Sequence, residues 1–387
     1  MKKESVSLLG LIGFLLIMSL LILPVGSIQA IGEPTATPST IPEISPSPTP
    51  ILDDESLLDQ ILDKILDGDL DSAMMDLNSL LERDPLNADA YVLRASIYAR
   101  QSDLEKAIDE ITKAIELVPY SWDYYTYRGD LYAHQNEIGQ AVLDYNQAIF
   151  LNPRYAPAYD SRSVMQAATG KKTEATIDSM ISLALVSQPE EAMKIYTDAI
   201  QLGESEGTPP ETALAYYNRG LILLNQDDFQ ESINDFSAGI NIQIDMHDNY
   251  LARGIAFRNV GDLESAGADF ITRMTLLERE GIEKKAAIGD TLALEMSYGT
   301  VYYIEFEGKA GDILQITARD RDLVKVDPLI ALSDENGVSL GGDDDYGGGY
   351  DALIEGVELS EDGVYTLMVS HANGGYKGAI LVSIEKQ

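Results

Sequence analysis

The sequence contains no cysteine, which removes disulfides, thiolate catalysis, cysteine-ligated zinc and lipid attachment through an N-terminal cysteine. Its three histidines, His134, His247 and His371, fall in separate segments and suggest neither a metal cluster nor a catalytic triad. Basic residues are scarce: 27 stand against 64 acidic ones in 387, for a net charge of −37. A polyanion repels nucleic acid phosphates, and anionic lipid head groups likewise, so nucleic-acid binding is set aside. Such a surface favours partners with basic patches, and salt screens its self-repulsion. No HExxH, phosphate-loop or GxSxG pattern occurs. Ser383 and Lys386 have SxxK spacing, but they close a predicted strand instead of opening a buried helix. The single tryptophan, Trp122, begins a predicted helix and is read as packing between structural units, not as a sugar platform. With no residues to carry catalysis, a non-enzymatic protein without a cofactor is expected.

What is present begins with compartment. Lys2 and Lys3 precede an apolar run over 8–23, Pro24 and Gly26 break it, and small residues follow up to Ala30. This is the layout of a signal peptide, or of an N-terminal membrane anchor if it is not cut. The two lysines favour a cytoplasmic N-terminus, so both readings place the remainder outside the cytoplasm, secreted or anchored to the outer membrane face. Residues 31–51 are rich in proline, serine and threonine, which forbids helix and sheet ladders and predicts an extended stalk.

From residue 52 to 282 the chain repeats itself. Arg94, Arg128 and Arg162 are 34 residues apart, as are Tyr91, Tyr125 and Tyr159, and Ala73, Ala107, Ala141 and Ala175. Pro85, Pro119 and Pro153 keep the same step, and it resumes at Arg219 and Arg253 and at Asp235-Phe236 and Asp269-Phe270. Arg162 to Arg219 is 57, an excess of 23 that fits one inserted helix near 190–202 and a loop over 203–210. Each block divides into two segments with apolar residues at 3–4 spacing, so it predicts a helical hairpin with small residues where the helices touch. One hairpin cannot bury its apolar face, so such units stack.

These blocks resemble tetratricopeptide repeats. Tyr91, Ala95, Tyr98, Ala107, Ile111, Ala114 and Pro119 match the family pattern in order, as do Tyr125, Gly129, Tyr132, Ala141, Tyr145, Ala148 and Pro153. Leu57 and Arg273 depart from it, and five to six units are expected. The resemblance implies an α-solenoid that binds a protein or peptide segment along its first helices. Carried over by position, the candidate groove residues are Asp89, Val92, Ser96, Ala99 and Arg100, then Asp123, Thr126, Asp130, Ala133 and His134. A third set is Pro157, Asp160, Ser163, Gln166 and Ala167. An anionic lining of this kind disfavours a carboxylate and favours a basic or neutral polar segment. Tyr217, Leu221, Leu224, Leu251 and Ile255 form a more apolar set, read as packing against neighbouring helices.

After residue 285 the period changes to two. Short runs at 291–298, 301–307, 313–318, 329–332, 353–359, 364–369 and 379–384 are separated by glycine- and aspartate-rich turns. Seven or eight strands without helices read as an antiparallel β-sandwich or jelly roll over 285–387. Its motifs, YYIEFEGKAGDILQITA, DPLIALSDENGVSL and GVYTLMVS among them, resemble the bacterial pre-peptidase C-terminal (PPC) domain, a non-catalytic appendage of secreted proteins. Asp343, Asp344, Asp345 and Asp351 sit in a glycine-rich stretch and are candidate oxygen ligands for Ca²⁺. Three consecutive carboxylates cannot all point inward on an extended chain, so a solvated acidic loop is the preferred reading. The expected function is an extracytoplasmic interaction scaffold. Its rival is a surface-attachment module whose sandwich binds envelope polysaccharide or a partner while the repeats act as a spacer.

Overall fold

The computed structural model describes residues 54–207, 209–321, 326–344, 351–372 and 378–387. The targeting segment, the stalk and Asp345 lie outside the described residues. The chain divides into two compact units, Met1–Ala148 and Ile149–Gln387.

The first unit is made of helical hairpins. Helices α1 (Asp54–Asp67) and α2 (Leu70–Arg83) form one, α3 (Ala88–Arg100) and α4 (Leu104–Leu117) a second, and α5 (Trp122–His134) and α6 (Ile138–Leu151) a third. Short polar caps start several of them: Asp69, Asn87 and Asp103 each accept a backbone N–H from three residues ahead. The turn inside each hairpin needs one left-handed residue, and it recurs with the repeat at Gly68, Ser102 and Asn136. The cores are built from the periodic apolar positions, with Ala107, Ile111 and Ala114 fully buried beside Ala95.

The second unit continues with α7 (Ala156–Ala168), α8 (Lys172–Leu185), α9 (Pro189–Ser205), α10 (Glu211–Asn225), α11 (Phe229–Ile242), α12 (His247–Asn259) and α13 (Leu263–Leu277). Three of these pairs are hairpins and α9 is the inserted helix, four residues longer in all than the expected 190–202. Gln166 of α7 donates directly to Glu211 of α10 at 2.7 Å, so α10 lies beside α7 as the next first helix. Arg219 of α10 meanwhile reaches Thr197 of α9 at 3.2 Å, as other repeat arginines reach the second helix of the preceding hairpin. The inserted helix therefore stands in the row of second helices. Glycines admit the aromatic rings of their own hairpins: a Cβ on Gly220 would meet Phe236 at 2.7 Å, and one on Gly254 would meet Phe270 at 2.5 Å.

The nine described strands make a two-layer sandwich, with sheets ordered β1-β3-β8-β5-β6 and β2-β9-β4-β7. They are β1 (Glu280–Lys285), β2 (Thr291–Met296), β3 (Thr300–Gly308), β4 (Ile313–Asp320), β5 (Pro328–Ser333), β6 (Ser339–Asp343), β7 (Asp351–Glu358), β8 (Gly363–His371) and β9 (Gly378–Lys386). All pairings are antiparallel except β1 with β3. Alternate residues such as Ile304, Phe306, Ile316, Leu332, Leu367 and Val382 fill the space between the sheets. The expected array boundary at residue 282 moves: the helices end at Leu277, and Glu280–Lys285 is already an edge strand of the sandwich. Its charged sequence, EGIEKK, lacks the alternation that marked the other strands.

The outer face of the five-stranded sheet is also covered. Val301, Leu329, Ala331, Met368 and Ala372 pack on Ala266, Phe270 and Met274 of α13. Gly267 lets the strand approach, since a Cβ there would meet Gly341 backbone at 2.6 Å. Leu251 and Ile255 of α12 join this cluster, so these two of the apolar set read as packing pack against the joint with the sandwich.

His371 is buried beside this joint, its Nε2 facing the Ser297 carbonyl at 3.2 Å. Burial, with help from the Arg273 charge, pushes its pKa down to about 4. The unfolded chain takes up that proton first, so stability should fall as pH drops from about 6.5 towards 4, by on the order of 2–3 kcal/mol. Urea titrations at pH 7 and pH 4.5 should show this loss in the parent and a smaller one in His371→Gln. An equal loss in both would assign the acid sensitivity to other groups.

Candidate functional site

The repeat arginines do not line a groove. Each pairs with an acid 16 residues ahead, on the second helix of its own hairpin: Arg94 with Glu110, Arg128 with Asp144, Arg162 with Asp178, Arg219 with Asp235 and Arg253 with Asp269. The Nε bond is 2.7 or 2.8 Å long in all five. The same guanidinium lies over the tyrosine three residues back, 5.4 to 5.7 Å from its ring centre. For Arg94, Arg128, Arg219 and Arg253, Nη1 also reaches a side chain of the preceding second-row helix, Asn78, Thr112, Thr197 and Ser237 respectively. This is an architectural staple. The acids at 110, 144, 178, 235 and 269 were visible in the sequence at the repeat period and could have revealed it.

On the first helices of the first unit, three carboxylates are held part-buried at fixed positions. Asp89 accepts from the Tyr124 hydroxyl at 2.8 Å, Asp123 from the Ser121 hydroxyl at 2.6 Å, and Asp130 from the Tyr145 hydroxyl at 2.8 Å. Burial raises the Asp123 carboxyl above its ordinary value, and the Asp89 charge raises it further. The two acids are thus close enough to repel and incompletely solvated, a location that a cation would relieve. Trp122, next to Asp123, is 40% exposed, which corrects its reading as a packing residue between units. Arg100 and His134 are exposed, and Ala99 and Ala133 partly so.

Other groove candidates are corrected. Val92, Ser96, Thr126 and Ser163 are buried, and the three hydroxyls bond to the carbonyls of Leu93, Trp122 and Asp160 within their own helices. A first helix packs on its partner and on neighbouring helices, which leaves only a narrow strip for a ligand. In the second unit Pro157, Asp160 and Ala167 are exposed, while Gln166 is buried on Glu211.

At Asp343 and Asp344, the described start of the acidic stretch, the chain is not the solvated loop that was preferred. Asp343 is 1% and Asp344 4% exposed. Asp343 lies on β6, pairs with Arg258 of α12 and accepts the Leu353 N–H at 2.7 Å. Asp351 opens β7 opposite Arg319. Among the described residues no group of three or more histidines and acids is placed to hold a metal ion. Asp343 thus joins sandwich to array, and its neutralisation by Arg258 removes the charge that Ca²⁺ would need.

Family models for the tetratricopeptide repeat match residues 59–121 and 213–243. No curated protein matches the sequence. Among solved structures, the chain is similar to a tetratricopeptide repeat protein from Parabacteroides merdae, at 19% identity over 57% of this chain and 92% of that one, with a TM-score of 0.29. It is similar to YrrB, a repeat protein described as having an unusual peptide-binding site, at 16% identity over 52% and 91%, TM-score 0.24. Its C-terminal part is similar to the pre-peptidase C-terminal domain of a Bacillus anthracis collagenase, at 12% identity over 28% and 99%, TM-score 0.24.

Proposed function

We propose, from the premise that this chain carries tetratricopeptide repeats, that it is a non-catalytic interaction scaffold displayed outside the cytoplasm. Its first-unit helices hold a lysine- or arginine-bearing segment of a partner protein. The observation that carries this reading is the set of part-buried carboxylates, Asp89, Asp123 and Asp130, with the exposed Trp122 on the same helix as two of them. A guanidinium or ammonium there gains charge-assisted hydrogen bonds. The export reading rests on the basic, apolar and small-residue order of residues 2–30. The rival, a sandwich that attaches to envelope polysaccharide, is less favoured because the outer face of its five-stranded sheet is occupied by α13.

The test is fluorescence anisotropy with a labelled Gly/Ser peptide carrying three arginines, at physiological salt. Asp123→Asn should weaken binding about three- to tenfold, while Glu116→Gln, an exposed acid elsewhere in the first unit, changes it little. Equal losses in both variants would mean that only the general negative field attracts the peptide. Because burial raises the folded-state pKa of Asp123, its ionised form destabilises the fold. Asp123→Asn should therefore raise Tm slightly while it lowers affinity. Affinity for the peptide should also begin to fall at a higher pH than an ordinary carboxylate would dictate.

A further inference from the structure

Strand β1 ends the five-stranded sheet and pairs on one side only, in parallel with β3. The Glu280 N–H donates to the Gly299 carbonyl at 3.2 Å, and the Ala286 N–H to the Glu305 carbonyl at 3.0 Å. Backbone groups of alternate residues point to the same side of a strand, so Gly281, Glu283 and Lys285 turn their N–H and C=O groups to the open edge. All three residues are exposed, and these groups have no backbone partner among the described residues. The last helix of the array does not cover them, since α13 packs on β5 and β6 at the opposite edge.

Charge on such an edge turns most strands away, but it also selects a strand of matching charge. Here the charges balance in a chain where they do not: residues 278–285 carry three acids and three bases, against 64 and 27 overall. Glu280, Glu283 and Lys284 make no ion pair among the described residues. Laid antiparallel on a copy of itself about a twofold axis at Ile282, the strand sets Glu280 opposite the copy's Lys284 on both sides of an Ile282–Ile282 contact. Those are the closer, non-hydrogen-bonded positions of an antiparallel pair, while Gly281 and the copy's Glu283 exchange backbone bonds. Like charges meet only where Arg279 faces the copy's Lys285. Both are already engaged, Arg279 over the Tyr298 ring at 4.6 Å and Lys285 with Glu305 at 3.5 Å. Moving the copy by one hydrogen-bonding step sets Glu283 on Glu283, and a second step sets Lys284 on Lys284. The edge strand β7 of the other sheet carries only acids, Asp351, Glu355 and Glu358, and repels its own copy.

We infer that β1 pairs with β1 of a second copy of this chain, antiparallel and centred on Ile282, so that two five-stranded sheets join into one across a twofold axis. The same residues serve both copies, and the assembly closes as a dimer. The contact is small, and the chain's net charge opposes it, so the dissociation constant lies above about 1 μM. A dimer carries two repeat arrays and holds a partner with two binding segments more tightly than one array does. The surface shares no residue with the acidic set of the first unit and stands or falls independently of it.

The experiment is sedimentation equilibrium of the purified full chain at physiological salt, over about 5–500 μM. The parent should pass from monomer to dimer within that range. Glu280→Lys and Lys284→Glu, both at exposed positions, should each weaken the dimer about tenfold or more, and Glu280→Lys/Lys284→Glu should return it close to the parent. Glu283→Pro removes a donor on the open side while the ladder to β3 keeps its bonds, and it should abolish the dimer with unchanged circular dichroism and Tm. A parent that stays monomeric, a dimer that survives Glu283→Pro, or a double variant no tighter than the single ones would overturn the assignment. The arginine peptide of the previous test should bind Glu283→Pro as it binds the parent, so the two readings fail separately.

Discussion

Replacing Arg162 with methionine is expected to cost about 3–5 kcal/mol of unfolding free energy, the largest loss for any of the five staple arginines. The Arg162–Asp178 pair is the most enclosed of the set: the side chains are 7% and 0% exposed, against 17% and 9% for Arg94–Glu110. Two bonds of 2.8 and 2.7 Å join the groups. Burial still pushes the Asp178 carboxyl up to about 6, because even a bidentate guanidinium does not fully replace lost water and Glu211 adds its own charge. Removing the arginine alone would strand Asp178 and Glu211 without their cation. Asp178→Leu should be comparably damaging for the reverse reason. The double variant Arg162→Met/Asp178→Leu should recover most of either loss, since an apolar pair of similar volume is often no worse than the ion pair it replaces. Urea unfolding of all four proteins closes the cycle. If the double variant is as unstable as the sum of the singles, the two groups are not coupled and the account of the pair fails. Arg94→Met should lose less, about 1 kcal/mol, because the half-exposed Lys113 still neutralises Glu110 at 2.9 Å.

That gradient was not legible in the sequence, although the staple itself was. Arg162 and Arg94 occupy equivalent positions, and nothing in their neighbours along the chain says which is dry. The difference arises because the inserted α9 brings α10, with Glu211, directly onto α7. The insertion was legible as a break in period, and so were seven strands, because alternation shows wherever one sheet face is wet. Strand β5 is the informative exception. Its residues, PLIALS, are all buried, and an unbroken apolar strand signals cover on both faces. The edge strands β1 and β6 were missed for the opposite reason, one being mostly charged and the other rich in glycine. The groove residues were the weakest reading. Spacing identifies which residues share a helix face, but Val92, Ser96 and Thr126 show that the face carried over from the family is largely closed by packing in this chain.

Phe270→Ala is expected to lose about 3–5 kcal/mol and, more tellingly, to loosen two structural elements together. The ring is fully buried and serves two contacts. One side fills the space above Gly254 of its own hairpin, where a Cβ would lie 2.5 Å from the ring. The other meets β6, where a Cβ on Gly342 would lie 2.7 Å away. Around it, α13 and the outer face of the five-stranded sheet share one apolar cluster, flanked by the Arg258–Asp343 ion pair and by the bonds from Arg273 to the His371 and Ala372 carbonyls. An end hairpin of a repeat array has an apolar face with no further hairpin to cover it. The sandwich supplies that cover here, which explains why Met368 and Leu329 face helix and not water. Amide hydrogen exchange distinguishes a cap from a tethered neighbour. In Phe270→Ala, protection should fall in α13 and in β5 and β8 at once, while β2 and β9 in the far sheet retain more of theirs. Loss confined to α12 and α13 would show that the sandwich folds without regard to the array. The coupled loss would mean instead that any partner held by the last repeats is held against a surface whose rigidity the sandwich maintains.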